Sequence, residues 1–340
     1  MPEVTVAIPV LNGGSVFAGV LEALQGQTVE HELLICDSGS TDGSPELARQ
    51  HGARLLEIPP ERFSHGGTRN RLMEAAGGEL VALLTQDAQP AHERWLERLL
   101  GGFELGGDVA LAYGPYIPRP NASMPVSLEL RRWFASVSDD GQTSVERLGD
   151  GERLRPVVEL MGRRGFFTDA NACIARAAWE RVPFREVQYA EDRVLAIDML
   201  RAGYGKVFIP EAGVLHSHRY KAGEEIRRCF DEWRGLLEVY GWREPASPWS
   251  RLSRLRGELA HVRGQLTSEG ISGAPLLAAL AEVTRHHVLR STGALLGSHA
   301  DRLPAGARKR LSLEGRAGYA PLGLDAELIS PTAADRSTTR

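Results

Sequence analysis

The N-terminal third of the sequence repeats one pattern, in which a short apolar run precedes a segment with the residue spacing of an amphipathic helix. Because near-continuous apolar strands that alternate with helices are usually buried on both faces, the pattern predicts an α/β fold with a mostly parallel sheet flanked by helices. In such sheets ligands bind beyond the carboxyl ends of the strands, so polar residues there are candidates for a functional site. The apolar runs are VTVAIPV (4–10), ELLICDS (32–38), ARLLEIP (53–59), ELVALLT (79–85) and VALAYG (109–114).

The pattern changes after residue 120. The polar, glycine-rich stretch at 138–154 predicts a mobile loop, and the chain is mostly helical in pattern from about residue 222 onward. We therefore expect a sheet-containing domain over residues 1–220, a helical C-terminal extension over 221–320 and a flexible tail over 321–340.

Charge and cysteine content narrow the function classes. The net charge of −4 carries no nucleic-acid signature, so we expect no nucleic-acid partner. The three cysteines lie far apart and form no CxxC pair, which argues for a reducing compartment without a disulfide framework. No apolar run approaches the roughly 20 residues that span a bilayer. The first strand leaves no room for a signal peptide, so we expect a cytoplasmic protein.

Basic side chains are concentrated near the C-terminus. The segment from Arg251 to Arg316 holds 11 Lys and Arg against 5 Asp and Glu, whereas residues 1–220 hold 22 against 30. This segment is either a solvated helical face, which is the commoner case, or a surface for peripheral contact with anionic lipid on the inner face of the cytoplasmic membrane. Both interpretations remain open.

Asp37 ends the second apolar run, in CDSGSTDGS. Its carboxylate either forms a turn with nearby backbone amides, as Asp commonly does, or accepts the N3–H of a pyrimidine base. The motif by itself leaves both alternatives open.

The stretch FSHGGTRN (63–70) places two glycines just before a predicted helix. Backbone N–H groups and the helix dipole favour an anion at such a position. Arg69 adds a fixed cation that suits phosphate oxygens. Turn chemistry explains the glycines alone but does not require His65, Arg69 and Asn70 together.

A single carboxylate, Asp87, follows the strand in LLTQDAQP. Alone it is either a strand-end cap or half of a metal site. A second half is available in VLHSH, where strand alternation places His216 and His218 on one face. One Asp, one His, diphosphate oxygens and water suit a divalent ion such as Mg²⁺ or Mn²⁺.

Glu191 and Asp192 begin a predicted helix in YAEDRVLA. Acids are common in a first helical turn because the dipole stabilises them. Neighbours on a helix point about 100° apart, so one of the two acids at most faces a reacting group, where it can serve as a general base.

Taken in order, these motifs resemble those of the family 2 glycosyltransferases of the GT-A (Rossmann-like) fold, and more closely their bacterial rhamnosyltransferase branch. The resemblance covers roughly residues 3–240. The motifs that carry it are VAIPVLNGG, CDSGSTDGS, FSHGGTRN, LTQDAQP, FFTDANACI, YAEDRVLAIDMLRAGY and IPEAGVLHSHRY.

The resemblance implies a role for each matching residue. Thr85 stands where the family's metal-binding DXD motif has its first Asp, a form that the rhamnosyltransferase branch shares. The implied donor-binding residues are Pro9, Asp37, His65, Arg69, Asn70, Gln86 and Asp87. The implied acceptor pocket holds Asp169 and Asn171, the implied base is Asp192 beside Glu191, and the implied metal ligands are Asp87 and His216, with His218 as the alternative histidine.

The resemblance implies an inverting enzyme that transfers L-rhamnose from dTDP-L-rhamnose, with a divalent metal, to a hydroxyl of a saccharide or lipid-linked saccharide acceptor in surface polysaccharide or glycolipid synthesis. The alternatives are the same fold with a UDP- or GDP-sugar donor, and a non-catalytic relative that binds sugar nucleotides. The stretch after the first strand lacks GxGxxG, which argues against an NAD-binding reductase. The oligomeric state, including a homo-oligomer, is left open.

Overall fold

The structure is a computed structural model that describes residues 3–245 and 247–325. Its strands are β1 (Val4–Val10), β2 (Glu32–Asp37), β3 (Arg54–Glu57), β4 (Leu80–Leu84), β5 (Gln89–Pro90), β6 (Val109–Tyr113), β7 (Tyr116–Ile117), β8 (Ser144–Glu146), β9 (Asn171–Ala175), β10 (Gly205–Phe208) and β11 (Val214–Leu215). Its α-helices are α1 (Gly14–Gln25), α2 (Ser44–Gln50), α3 (His65–Ala75), α4 (Trp95–Gly101), α5 (Met124–Ala135), α6 (Asp150–Arg153), α7 (Arg176–Trp179), α8 (Glu191–Arg201), α9 (Ala222–Tyr240), α10 (Pro248–Ser268), α11 (Gly273–Gly297) and α12 (Ala305–Leu311).

The main sheet has the strand order β3-β2-β1-β4-β9-β6-β10-β8. Within it β9 runs antiparallel to both of its neighbours, and the edge strand β8 runs antiparallel to β10. The remaining pairs are parallel, so the predicted mostly parallel α/β fold is confirmed. A small second sheet, β5-β11-β7, lies beyond the main one.

Both faces of the main sheet are covered because its strands are apolar on both sides. In β1, Ala7 belongs to a core layer that includes residues of α3 and α8. Its neighbours Val6 and Ile8 belong to the opposite layer, with residues of α1 and α4. Successive residues of a strand point to opposite faces of the sheet, and here both faces are buried. The strands are therefore continuous apolar runs in the sequence rather than alternating ones.

The predicted mobile loop at 138–154 is wrong for its central part. Residues Ser144–Glu146 form β8, which pairs with β10 at the edge of the sheet. Val145 packs against the core and Glu146 pairs with Arg164, with 2.7 Å between Oε1 and Nε. Pairing with β8 satisfies backbone groups of β10 that would otherwise be unpaired at the edge of the sheet. The stability gained from this pairing cannot be inferred from the composition of the segment.

The C-terminal region contains helices where helices were predicted. Helix α9 packs along α11, and α11 contacts α5 through His286 and Arg290, both of which pair with Glu129. Among the described residues, no helix is both long enough and apolar enough to cross a membrane.

The segment expected to be a flexible tail, 321–340, lies partly outside the described residues. Its first five residues, 321–325, differ from the expectation because they are packed. The N–H of Leu322 donates to the carbonyl of Glu238 at 3.0 Å, and Leu324 is buried.

A close backbone approach at Gly114 positions the loop that leads to β11. The N–H of Gly114 donates to the carbonyl of Asn171 at 3.2 Å, and a Cβ at residue 114 would overlap the carbonyl of Ala212. We expect Gly114→Ala to lower the free energy of unfolding by about 1–3 kcal/mol, as measured by urea denaturation.

The matched control is Gly101→Ala, at the end of α4, where an added Cβ meets no atom within 4 Å. Because Ala loses less conformational entropy than Gly in a helix, we expect no loss of stability and a gain of up to about 1 kcal/mol. Equal stabilities for the two variants would contradict the close approach.

Candidate active site

The loops that follow β1 and β2 are locked to each other at the carboxyl edge of the sheet. Asn12 adopts a left-handed conformation with φ 51°. Its Oδ1 accepts from the N–H of Thr41 at 2.8 Å, and its own N–H donates to Ser40 Oγ at 2.8 Å. Asp42 in turn accepts from the N–H of Gly14 at 2.9 Å. These bonds give the edge a fixed shape next to Asp37.

Asp37 uses one carboxylate oxygen and leaves the other without a partner. Oδ2 accepts from the N–H groups of Gly39 and Ser40, at 2.9 and 3.0 Å. Oδ1 is buried and has no hydrogen-bond partner among the described residues. An unpaired buried acceptor costs free energy, so Oδ1 is a suitable acceptor for a hydrogen-bond donor of a ligand. Oδ2 meanwhile forms the turn that the sequence offered as the alternative role of Asp37.

Two residues expected at the donor site lie in and beside the strands. Pro9 is half-buried in β1, opposite Cys36 of β2. The amide of Gln86 bonds both backbone groups of Leu11, accepting at 2.7 Å and donating at 3.2 Å. Gln86 therefore joins the ends of β1 and β4, which differs from the expected donor contact.

Asp87, His216 and His218 form a cluster of three possible metal ligands. The small sheet brings them together, because β5 and β11 pair antiparallel with Leu215 opposite Gln89. His216 Nδ1 lies 3.5 Å from Asp87 Oδ1, and His218 Nε2 lies 3.6 Å from Asp87 Oδ2. One ligand atom from each residue lies within 4.8 Å of the others.

The protonation states of this cluster favour a bound cation. Burial lowers the pKa of His216 to about 4, so its imidazole is neutral at pH 7 and keeps a lone pair. Burial acts to raise the pKa of Asp87, but the adjacent imidazoles more than offset this and leave it below its usual value. Charged carboxylate and neutral imidazole are the forms in which these residues bind metals.

Arg69 lies in a buried ion-pair cluster rather than at an open phosphate site. Its Nη2 donates to Asp169 Oδ1 at 2.8 Å, and its Nη1 lies 3.4 Å from Glu191 Oε1. Only 3% of Arg69 and 5% of Asp169 is exposed. This placement differs from the expectation that Arg69 faces the diphosphate and that Asp169 lines the acceptor pocket.

Asn70 also differs from its expected ligand role, because its polar atoms are used within the protein. Asn70 Oδ1 accepts from Trp179 Nε1 at 2.9 Å and from the N–H of Phe184 at 3.0 Å. Its Nδ2 donates to the carbonyl of Phe184 at 2.9 Å. The side chain ties α3 to the chain that follows α7.

Asn171 is fully buried at the start of β9 and differs from expectation for the same reason. Its Oδ1 accepts from Trp95 Nε1 at 2.9 Å, and its Nδ2 donates to the carbonyl of Ala212 at 2.8 Å. Both asparagines therefore belong to the framework behind the site.

Glu191 and Asp192 open α8 and occupy different surroundings. The preceding Ala190 is left-handed, with φ 65°. Glu191 is buried against Arg69, whereas Asp192 is partly exposed. Burial and the negative charge of Glu191 raise the pKa of Asp192 to about 6, a value that suits a general base near neutral pH.

Tyr116, which the sequence patterns did not single out, lies between the two groups of residues. Its ring contacts His216 edge-on, with 4.6 Å between ring centroids. Burial raises the pKa of its hydroxyl, and the negative charges of Asp192 and Asp169 raise it further. Its hydroxyl also pairs with the hydroxyl of Thr168, the residue before Asp169, so Tyr116 joins His216 to the segment that carries Asp169.

Two further neighbours were also missed by the sequence patterns. Tyr220 stacks on His218, with 5.2 Å between ring centroids. Glu314 accepts from His65 Nε2 at 3.1 Å, although 249 residues separate them. No local signal in the sequence marks a contact over that separation.

Comparison with known proteins identifies the family. Residues 5–145 match the model of Glycosyl transferase family 2. The chain is 31% identical over 237 residues to the O-antigen chain rhamnosyltransferase WbaN of Salmonella anatum, covering 68% of this chain and 71% of that protein. It is 30% identical over 254 residues to the O-antigen chain rhamnosyltransferase RfbN of Salmonella typhimurium, covering 73% and 74%.

Among solved structures, the mannosyltransferase PcManGT from Pyrobaculum calidifontis, described in complex with GDP-Man and Mn²⁺, has the same fold. The TM-score is 0.54 at 18% identity, over 88% of this chain and 86% of that one. The sheet with its flanking helices is thus the GT-A fold, and the chain belongs to glycosyl transferase family 2.

Proposed function

We propose that the protein is an inverting glycosyltransferase that moves L-rhamnose from dTDP-L-rhamnose to a hydroxyl of a saccharide acceptor in surface polysaccharide synthesis. The rhamnosyltransferase relatives, which it matches over more than two thirds of their length, support the sugar. The observation that carries the proposal is that one chain holds both the Asp87–His216–His218 cluster and the candidate base Asp192, whose pKa is raised to about 6.

Asp37 is the residue that recognises the base of the donor. Its partnerless Oδ1 is an acceptor, and the N3–H of thymine is a donor of matching chemistry. Uracil presents the same group, so Asp37 accounts for a pyrimidine nucleotide, while the choice of dTDP rests on the motif resemblance to the rhamnosyltransferase branch.

The Asp87–His216–His218 cluster is the place for a divalent ion. The Asp87 carboxylate, diphosphate oxygens and water suit Mg²⁺ or Mn²⁺, and the imidazoles add nitrogen ligands that Mg²⁺ takes less readily than a transition metal does. When bound, the ion supplies positive charge that neutralises the departing diphosphate.

Asp192 removes the proton of the acceptor hydroxyl as that oxygen bonds to the anomeric carbon. Inversion follows because the base and the departing diphosphate lie on opposite faces of the sugar ring. Glu191 stays ionised against Arg69 and holds the start of α8, which fits a bracing role better than direct contact with the acceptor.

Localisation and assembly stay predictions. The basic segment 251–316 includes most of α10, on which Arg256 and Arg263 are exposed, and Trp249, near the start of the same helix, is 78% exposed. A basic face with an exposed indole fits peripheral contact with anionic lipid and a lipid-linked acceptor.

The metal cluster is tested by direct binding. We expect Asp87→Asn to weaken Mn²⁺ binding more than about 10-fold, because it removes the only charged ligand, with the loss measured by calorimetry. The control His261→Ala, at an exposed histidine of α10, should bind as the unmodified protein does. Undiminished turnover in excess EDTA would refute the metal model.

The donor site is tested with Asp37→Asn. Two amide N–H groups face Oδ2, so the Asn oxygen must take that position and its NH₂ group then meets the N3–H of the base. We expect dTDP binding to fall about 10- to 100-fold, as measured by calorimetry, with the fold unchanged.

The control for Asp37→Asn is an N3-methylated thymidine diphosphate, which both proteins should bind with similar weak affinity. Binding of dTDP to the variant with normal affinity would show that Asp37 does not contact the base. Tighter binding of UDP-glucose than of dTDP-L-rhamnose would overturn the donor assignment.

The base is tested by the pH dependence of transfer. Since the pKa of Asp192 is raised to about 6, kcat/KM should fall about tenfold per unit as pH drops below that value and the carboxylate gains a proton. Asp192→Asn should lose about 10²- to 10⁴-fold in kcat, retain nucleotide binding and lose this acid limb.

Asp150→Asn, at an acid whose side chain is 97% exposed, is the control and should behave as the unmodified protein does. Glu191→Gln should keep the acid limb. If the limb disappears in Glu191→Gln and persists in Asp192→Asn, the roles of the two acids are reversed.

A further inference from the structure

Residues 312–325, here called the C-terminal segment, are held along α9 by buried charged side chains. Asp231 Oδ2 accepts from the N–H of Leu313 at 2.7 Å. Arg234 Nη1 donates to the carbonyls of Arg316 and Gly318, at 3.1 and 3.4 Å. Asp231 and Arg234 are 1% and 0% exposed. Two buried charged side chains form hydrogen bonds to the backbone of this segment, which indicates that its position on α9 is specific.

The segment is also attached to α8 at both ends of that helix. Arg201, the last residue of α8, donates to the carbonyl of Leu324 at 2.9 Å and pairs with Asp325 at 2.9 Å. Arg316 donates to the carbonyl of Gln188, just before α8 begins. The segment thus lies beside the helix that presents the candidate base.

From this segment, Glu314 reaches the start of α3. Its Oε2 accepts from His65 Nε2 at 3.1 Å, and Arg316 Nη2 lies 2.6 Å from the same oxygen. The other ring nitrogen of His65, Nδ1, lies 3.8 Å from Glu191 Oε1. The ring edge of Phe63 packs on the imidazole, with 5.2 Å between centroids. The imidazole therefore has a hydrogen bond at Nε2, an acidic neighbour at Nδ1 and a ring contact.

These contacts extend the buried ion-pair cluster into a row in which acidic and basic side chains alternate. Along it, Glu314 contacts His65, His65 contacts Glu191, Glu191 contacts Arg69, and Arg69 contacts Asp169. The C-terminal segment, α3, α8 and the loop before β9 each contribute. Glu191 adjoins the base, so a change at the Glu314 end is transmitted to the reacting group through two contacts.

We propose that Glu314 is a positioning residue of this active site, whose carboxylate orients His65 and, through it, Glu191. The inference rests on the proposed function in that it takes Asp192 as the base. The C-terminal segment is then a working part of the catalytic domain, and its removal or displacement impairs transfer without removing any group that touches substrate.

A double-mutant cycle tests the proposal. Glu314→Gln should lower kcat about 3- to 30-fold with KM for the donor changed less than about twofold, because catalytic geometry rather than donor binding is affected. In the double variant with His65→Gln, kcat should be no lower than in the slower single variant. Lys309→Gln, at an exposed residue of α12, also removes one charge, of the opposite sign, and should match the unmodified protein.

Hydrogen exchange gives a second measurement that needs no substrate. Glu314→Gln should exchange faster than Lys309→Gln at residues 63–70 and 186–192, with both variants equally stable in urea. If rhamnose transfer fails in the unmodified protein, the donor assignment is wrong and the exchange still tests the contact. Unchanged exchange, or fully additive effects of the two substitutions on kcat, would overturn the proposal.

Discussion

A buried guanidinium holds the catalytic part of the molecule together. Arg69 of α3 pairs with Asp169 ahead of β9 and with Glu191 of α8, so three segments distant in sequence meet at one cation. Removing charges from water costs several kcal/mol per ion, and loss of one partner leaves the other uncompensated. Burial raises the pKa of Asp169 well above its usual value and Arg69 opposes this, so each member depends on the others. This cluster sets the spacing between α3, α8 and the segment that precedes β9.

The fold could be predicted from periodicity, and the cluster of Asp87 with the two histidines could be predicted from strand alternation and resemblance. The apolar run at 4–10 is β1 residue for residue. The role of Asn70 could not be judged in the same way. An amide that faces a ligand and one that caps a buried indole look alike in sequence, and its partner Trp179 lies 109 residues away. The local sequence pattern determines which helices and strands form. The hydrogen-bond partners of a polar side chain depend instead on which distant segments pack beside it.

Two kinds of interaction position the residues of the candidate site: backbone pairing between strands, and ion pairs between side chains. The metal-type cluster is positioned by backbone, because β11 lies between β5 and β7 and carries His216 back to the loop of Asp87. The acid pair is positioned by side chains, through Arg69. Tyr116 contacts His216, and its hydroxyl pairs with that of Thr168, the residue before Asp169. Hydrogen bonds between strands and buried ion pairs respond differently to salt and pH. The positions of the metal-type cluster and of the acid pair should therefore depend differently on salt and pH.

The contact between His65 and Glu314 has a consequence for how the protein is made. During translation His65 is synthesised long before Glu314, because 249 residues separate them. At about 5–20 residues per second, the delay is roughly 10–50 seconds. Strands β4 to β11, the metal-type cluster and the acid pair are all translated within that interval, and the imidazole lacks its second carboxylate throughout. A nascent chain therefore carries its candidate catalytic residues before the row is complete, and the last contact of the row forms only after the C-terminal segment has been translated.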